Sequence, residues 1–164
     1  MYFTIIHADG NNEDTNNSSI VLKVTYGTTD FLFTGDAEKI IEDEILKKRL
    51  DISSEVYKCG HHGSSTSNSV DFVKAVSPTV AIISCGLDNS YGHPHLEVLS
   101  LMNKIGAEVY RTDTDGDIVI FSDGNNVIFS KKRVKVAPGE MESVTLKKEI
   151  FENAKELHFA LEEM

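Results

Sequence analysis

Short apolar runs, each closed by a polar loop that contains glycine, recur along this chain and leave little choice of fold class. Residues 2–6, 20–26, 31–34, 56–59 and 79–84 have the length and the β-branched and aromatic content of strands. Segments of helical period lie between them. Ile41 and Ile45 share a face within 37–50, the segment 69–76 stops near Pro78, and 95–105 ends at Gly106, a C-terminal stop. Residues 27–30 read as a hairpin turn. Further strands are expected at 108–111, 117–121 and 126–130, with Asp123-Gly124-Asn125 turning between the last two. A final amphipathic helix over 143–163 would carry Ile150, Ala154, Leu157 and Leu161 on one face. The pattern predicts an α/β protein, a mixed and meander-like sheet with helices packed on it.

Composition bears mainly on partners. With 40% hydrophobic and 26% charged residues, a chain of 164 residues can bury a core of its own. No apolar run approaches the ~20 residues that a membrane-crossing helix needs, so no membrane contact is evident. The first nine residues carry neither a basic flank nor a small-residue cleavage site, which argues against a leader. The cytoplasm is then the default compartment. The net charge of −10, from 26 acidic and 16 basic residues, argues against a strong grip on phosphates. The basic runs Lys47-Lys48-Arg49 and Lys131-Lys132-Arg133 read as solvated helix or hairpin flanks. Cys59 and Cys85 form no C-x-x-C pair and read as buried free thiols.

The chemistry-bearing residues gather at strand ends. His61 and His62 stand in one Gly-rich loop, His93 and His95 in another, and Asp36 and Glu38 follow a third apolar run. If these strands run the same way, all three loops leave one edge of the sheet. Imidazole nitrogen and carboxylate oxygen suit zinc, manganese or iron, and glycine beside such residues lets the backbone turn sharply toward a shared point. Each group also has a plain structural reading. Asp36 could cap a helix starting at Ala37, the paired histidines could be hydrogen-bonded surface groups, and His95 could help to cap its helix. His7 reads as a loop residue, and His158 as a partly buried residue of the last helix.

The wording of these segments carries a resemblance. Residues 32–38 (LFTGDAE), 57–64 (YKCGHHGS), 84–95 (SCGLDNSYGHPH), 110–113 (YRTD) with 116–118 (GDI), and 16–21 (NNSSIV) closely resemble, in order and spacing, the signatures of metallo-β-lactamase-fold hydrolases of the competence (ComEC-type) branch. The likeness covers most of residues 1–130. It implies an αββα sandwich of which this chain supplies the C-terminal half, with a dinuclear site between the sheets. By resemblance Asp36 would bridge two metals, zinc or manganese. His93 would be the late histidine ligand, with His95 the less favoured candidate. His61 or His62 would be a metal ligand or the proton donor to the leaving group. Bridging cations lower the pKa of a trapped water, and the implied reaction is hydrolysis of a phosphodiester, with DNA during uptake as the substrate.

The chain departs from that pattern in one respect: no H-x-H-x-D-H motif, the family's main ligand source, occurs in it. The expectation is therefore a partial domain over 1–137 followed by a helical extension over 138–164. Two alternatives stand beside the hydrolase. In one, an inactive half-domain binds at most a single metal through Asp36 and His93. In the other, an assembly piece is completed by a partner chain or by self-association. The resemblance also allows the parent protein to hold this domain outside the cytoplasm, attached to a membrane.

Overall fold

The computed structural model describes residues 1–10 and 12–132, with side chains as far as Phe129. Six strands form one sheet in chain order: β1 (Tyr2–His7), β2 (Val21–Tyr26), β3 (Thr29–Phe33), β4 (Val56–Lys58), β5 (Val80–Ile83) and β6 (Glu108–Arg111). The helices are α1 (Lys39–Lys47), α2 (Val70–Val76), α3 (Leu96–Ile105) and the single turn α4 (Thr112–Asp115). A hairpin of β7 (Asp117–Ser122) and β8 (Val127–Lys132) makes a second, two-stranded sheet. The fold class is α/β, as the alternation of strand and helix periods predicts.

Strand direction positions everything that follows. β2 is antiparallel to both β1 and β3, whereas β3, β4, β5 and β6 are mutually parallel. The ends of β1, β3, β4, β5 and β6 therefore meet at one edge of the sheet, the crevice side in open α/β sheets. Leu32, Tyr57 and Ala81 are in register on one face, where they pack with Ile41 and Ile45 of α1, Phe72 and Val76 of α2, and Val98 and Met102 of α3. The opposite face carries Tyr110, whose ring stacks on Phe129 of the hairpin at 5.3 Å. Lys23 is the exception inside β2. It is buried, and its Nζ pairs with Asp30 at 3.0 Å and with Asp51 at 3.5 Å, which keeps the charge satisfied.

Several expectations shift on inspection. The first helix starts at Lys39 rather than Ala37, because Glu38 is extended (φ −94°, ψ 176°), and it stops before Arg49, which is left-handed (φ 54°). The hairpin turn is tighter than 27–30. Tyr26 pairs with Thr29, so only Gly27 and Thr28 turn, and Asp30 enters the strand on its pairing with Lys23. The expected meander does not continue past β6. The α4 turn and Gly116 (φ 74°) redirect the chain, and β7–β8 leaves the main sheet. A hydrogen bond of 2.6 Å between the Thr29 and Ser122 hydroxyls and one of 2.6 Å from the Thr28 amide to the Gly124 carbonyl hold the two turns together. His7 is the last residue of β1 rather than a loop residue, and it is buried with neither ring nitrogen hydrogen-bonded. Cys59 is buried and Cys85 half-buried, both as free thiols. No helix among the described residues is long and apolar enough to cross a membrane. The helix expected over 143–163, His158, the boundary at 138 and the side chains of Lys131-Lys132-Arg133 lie outside the described residues.

Candidate metal centre

The His61–His62 loop is built on an unusual backbone. Past β4 the chain enters the tight turn Gly60–Gly63, in which His61 (φ 49°, ψ 49°), His62 (φ 56°, ψ 22°) and Gly63 (φ 81°) are left-handed in succession. For residues with a Cβ this conformation costs roughly 1–2 kcal/mol each, so it persists only where the surroundings impose it. The His61 amide donates to the Gly35 carbonyl at 3.0 Å, and the Ser64 amide to the His61 carbonyl at 2.8 Å. Beneath the turn the Asn68 side chain bonds to Gly60, Ser64 and the Tyr57 hydroxyl. The buried Glu42 carboxylate accepts the amides of Asn68 at 2.6 Å and Ser69 at 2.8 Å. Burial pushes the Glu42 pKa up, and hydrogen bonds from Ser69 and Asn68 hold it partly down.

The second loop approaches the first closely enough to need glycine. A Cβ on Gly63 would lie 2.7 Å from Cβ of Pro94 and 3.2 Å from Ile83. The His95 amide donates to the Gly63 carbonyl at 3.0 Å, and the His93–Pro94 peptide is cis. Asn89 grips the backbone of His93 from both sides, accepting its amide at 3.0 Å and donating to its carbonyl at 2.6 Å. At the base, the Thr112 hydroxyl accepts from the Cys85 amide and donates to the Cys85 carbonyl, at 2.9 and 2.8 Å. Arg111, paired with Asp113, forks onto its carboxylate beside it.

Asp36 arrives from β3 through Gly35, which is left-handed (φ 56°) and packed against Ser19. The Ser19 hydroxyl accepts the Asp36 amide at 3.0 Å. Asp36 is not a helix cap. The cap position of α1 is Glu38, with no side-chain capping bond, and the Asp36 carboxylate is left partly exposed.

These loops bring His61, His62, His93, His95, Asp36 and Glu38 together. His62 Nε2 lies 3.8 Å from Asp36 Oδ1. The rings of His61 and His93 are 5.6 Å apart, those of His62 and His93 6.3 Å, and those of His93 and His95 4.9 Å. Hydrogen bonds sort the four imidazoles. His62 Nδ1 is 2.7 Å from the Ser84 carbonyl, which can only accept, so Nδ1 carries a proton and Nε2 is the ring atom that faces Asp36. His95 is spent on structure, since its Nδ1 accepts the Ser65 amide at 2.9 Å and its Nε2 reaches the Tyr91 carbonyl at 3.3 Å. His61 Nδ1 faces Thr66 at 3.2 Å and the Glu38 carboxylate at 3.6 Å. The His93 ring nitrogens have no hydrogen-bond partner among the described residues, and its ring stacks on Tyr91. Burial, then the neighbouring His95, His61 and His62, lower the His93 pKa, opposed by Asp36. Lys58 adds a half-buried cation whose pKa burial pulls down, with Cys59, Asp36 and Cys85 opposing.

The donor chemistry fits a divalent ion in part. Two donors at Zn–N and Zn–O lengths of ~2.1 Å stand ~3.4 Å apart in a tetrahedron, so His62 and Asp36 need only a small closing motion to share one ion. Among the described residues, no three His, Cys, Asp or Glu side chains converge tightly enough to hold one. His93 is the neighbour that would have to swing in. Sequence reasoning named these histidines and Asp36 but missed the residues that hold them: Asn68, Glu42, Tyr57, Asn89, Ser19 and Thr112. Asn89, Thr112, Ser19 and Tyr57 gave a signal only as letters of the 84–95, 110–113, 16–21 and 57–64 patterns, and Asn68 and Glu42 gave none.

No protein-family model matches the chain. Over 103 residues, 63% of this chain, it is 43% identical to ComE operon protein 3 of Bacillus subtilis (strain 168), covering 13% of that protein. It is 40% identical over 106 residues, 64% of this chain, to Competence protein ComA of Neisseria gonorrhoeae, covering 15% of it. Over 134 residues, 82% of this chain, it is 32% identical to Recombination protein 2 of Haemophilus influenzae, covering 17% of it. The chain is thus similar to one short segment, 13 to 17% of the length, of these three much longer proteins.

Proposed function

We propose that the chain is a segment of a metal-dependent hydrolase of phosphodiesters that acts on nucleic acid during DNA uptake in competence. The observation that carries this reading is the His62–Asp36 pair. Its 3.8 Å spacing is joined to an imidazole whose Nδ1 is held by the Ser84 carbonyl, so that Nε2 is the atom turned to the carboxylate. A relative named for competence supports the setting. His62, Asp36 and His93 would hold zinc or manganese, which supplies Lewis acidity and a water of lowered pKa. His61, with Nδ1 turned to Glu38, would present Nε2 as the proton donor to the departing oxygen. Lys58, close enough to Asp36 to feel its charge, would help to neutralise a phosphate at the same edge.

The test is a calorimetric titration of the chain with Zn2+ and Mn2+, alongside hydrolysis of a chromogenic phosphodiester, repeated on Asp36→Asn and His93→Ala. Binding and turnover that both variants lose support the proposal; no binding by the unaltered chain sinks it.

A second reading has its own observation. Tyr2, Phe3 and Ile5 of β1 and Phe33 of β3 are exposed, with Phe3, Ile5 and Phe33 on one face by register. Water-facing apolar area of this kind marks association surfaces. In that reading the segment is a catalytically silent half that a partner chain or a second copy completes. Metal-free, turnover-free protein that self-associates would favour it.

A further inference from the structure

We infer that Asn68 is the positioning residue of the candidate centre: by clamping both ends of the left-handed turn, it aims His61 and His62. The inference deepens the proposed metal site and rests on it. The amide side chain of Asn68 is buried and saturated. Its Oδ1 accepts the Tyr57 hydroxyl at 2.9 Å and the Gly60 amide at 3.1 Å, and its Nδ2 donates to the carbonyls of Gly60 and Ser64, both at 3.0 Å. A carboxamide has two donor hydrogens and an oxygen with two lone pairs, so every position is used. Gly60 and Ser64 flank His61-His62-Gly63, so one side chain spans the whole turn.

Asn68 is itself held. Its backbone is left-handed (φ 61°), a region that asparagine tolerates better than most residues. Its amide is fixed by the buried carboxylate of Glu42 at 2.6 Å. Tyr57, fully buried on β4 and packed against Phe72, presents its hydroxyl to the other side. A chain of contacts thus runs from α1 and β4, through Asn68, to the turn, and from the turn to the His62 Nδ1–Ser84 bond. Aspartate could not donate to Gly60 and Ser64, and serine is too short to bridge them. Without the clamp, the only main-chain bonds that hold the two left-handed histidines from outside the turn are those to Gly35 and from His95.

The experiment uses the full chain labelled with 15N-histidine. Long-range proton–nitrogen spectra read the His62 tautomer, calorimetry reads zinc affinity, and far-ultraviolet circular dichroism checks the fold. Asn68→Gly is the main variant, because glycine keeps the positive φ while the side chain and its four bonds are lost. The expected result is a native dichroism spectrum, a His62 signal averaged between tautomers in place of a single Nδ1–H form, and zinc affinity weakened at least ~10-fold, the usual loss when an orienting partner of a ligand is removed. A folded Asn68→Gly chain with an unchanged His62 signal overturns the inference. If the unaltered chain binds no zinc, the metal reading falls and the clamp is judged on the tautomer alone. If Asn68→Gly does not fold, Asn68→Ser decides. Its shorter side chain loses both bonds to the Gly60 and Ser64 carbonyls, so an unmoved His62 signal in the folded Ser variant overturns the inference equally.

Discussion

Replacing Gly63 by alanine should separate two costs that usually arrive together. At φ 81° an alanine is left-handed, which costs roughly 1–2 kcal/mol. Its methyl would also lie 2.7 Å from Cβ of Pro94 and 3.2 Å from Cγ2 of Ile83. Neither neighbour is the far end of a flexible chain, since one is a ring carbon in a pinned loop and the other a buried branched residue, so the overlap adds about 1–3 kcal/mol. Gly106 supplies the control. Its φ of 83° is nearly the same, and nothing lies within 4 Å of the built methyl. Gly106→Ala should therefore show the conformational cost alone. Urea unfolding of the two variants, followed by circular dichroism, would place Gly63→Ala about 2–5 kcal/mol and Gly106→Ala about 1–2 kcal/mol below the unaltered chain. At roughly 2–4 °C per kcal/mol for a chain of this size, the melting points should differ by several degrees. Equal losses in the two variants would show that the His loops are not packed against each other through Gly63 and Pro94, and would refute the geometry argued for the site.

Two further outcomes follow from buried and titrating groups. Glu42→Gln leaves one oxygen to accept two amides and turns an N–H2 toward an N–H, so unfolding should cost about 2–3 kcal/mol less; a stability within error of the unaltered chain would show that the carboxylate is not what holds Asn68 and Ser69. In chelator, stability should be level above pH 6.5 and fall as pH drops through that value toward the lowered pKa of folded His93, because there the unfolded chain binds the proton more readily. His93→Gln should flatten that part of a melting-point profile, and a profile unchanged by the substitution would remove His93 as its cause.

The sheet strands and the three larger helices were legible because each is announced locally, by apolar runs, helical period and stops such as Gly106. Strand ends carrying His and Asp were legible for the same reason, and their common edge follows once β3 to β6 are parallel. What escaped was whatever depends on contacts distant in sequence. Asn68 sits in a Ser-rich stretch that reads as plain loop, and nothing local tells that its amide meets Tyr57, Gly60 and Ser64. Glu42 interrupts no pattern on α1, yet it is buried against the start of α2. His61 and His62 take a conformation that sequence assigns to glycine. The resemblance ranked His93 above His95, but the bonds of the His95 ring to the Ser65 amide and the Tyr91 carbonyl carry no local signal. Departure of β7–β8 from the main sheet likewise depends on a junction, Thr28 to Gly124, that joins residues almost a hundred apart.

The direction of β1, β3, β4, β5 and β6 has a consequence for how such a segment can change over time. All the side chains with chemistry emerge beyond the ends of these strands, while the apolar packing lies on the helix-covered face between them. Substitutions at the exposed positions of the outer 8–19 and 86–92 stretches, such as Glu13, Thr15, Leu87 and Ser90, can then change the surface at the edge without repacking the interior. Ser19 and Asn89 in the same stretches instead hold Asp36 and His93. The 60–64 and 93–95 stretches lack that freedom, because each is the other's wall. Variation at this edge should therefore be uneven, with the outer stretches drifting singly and the two histidine stretches changing only in concert.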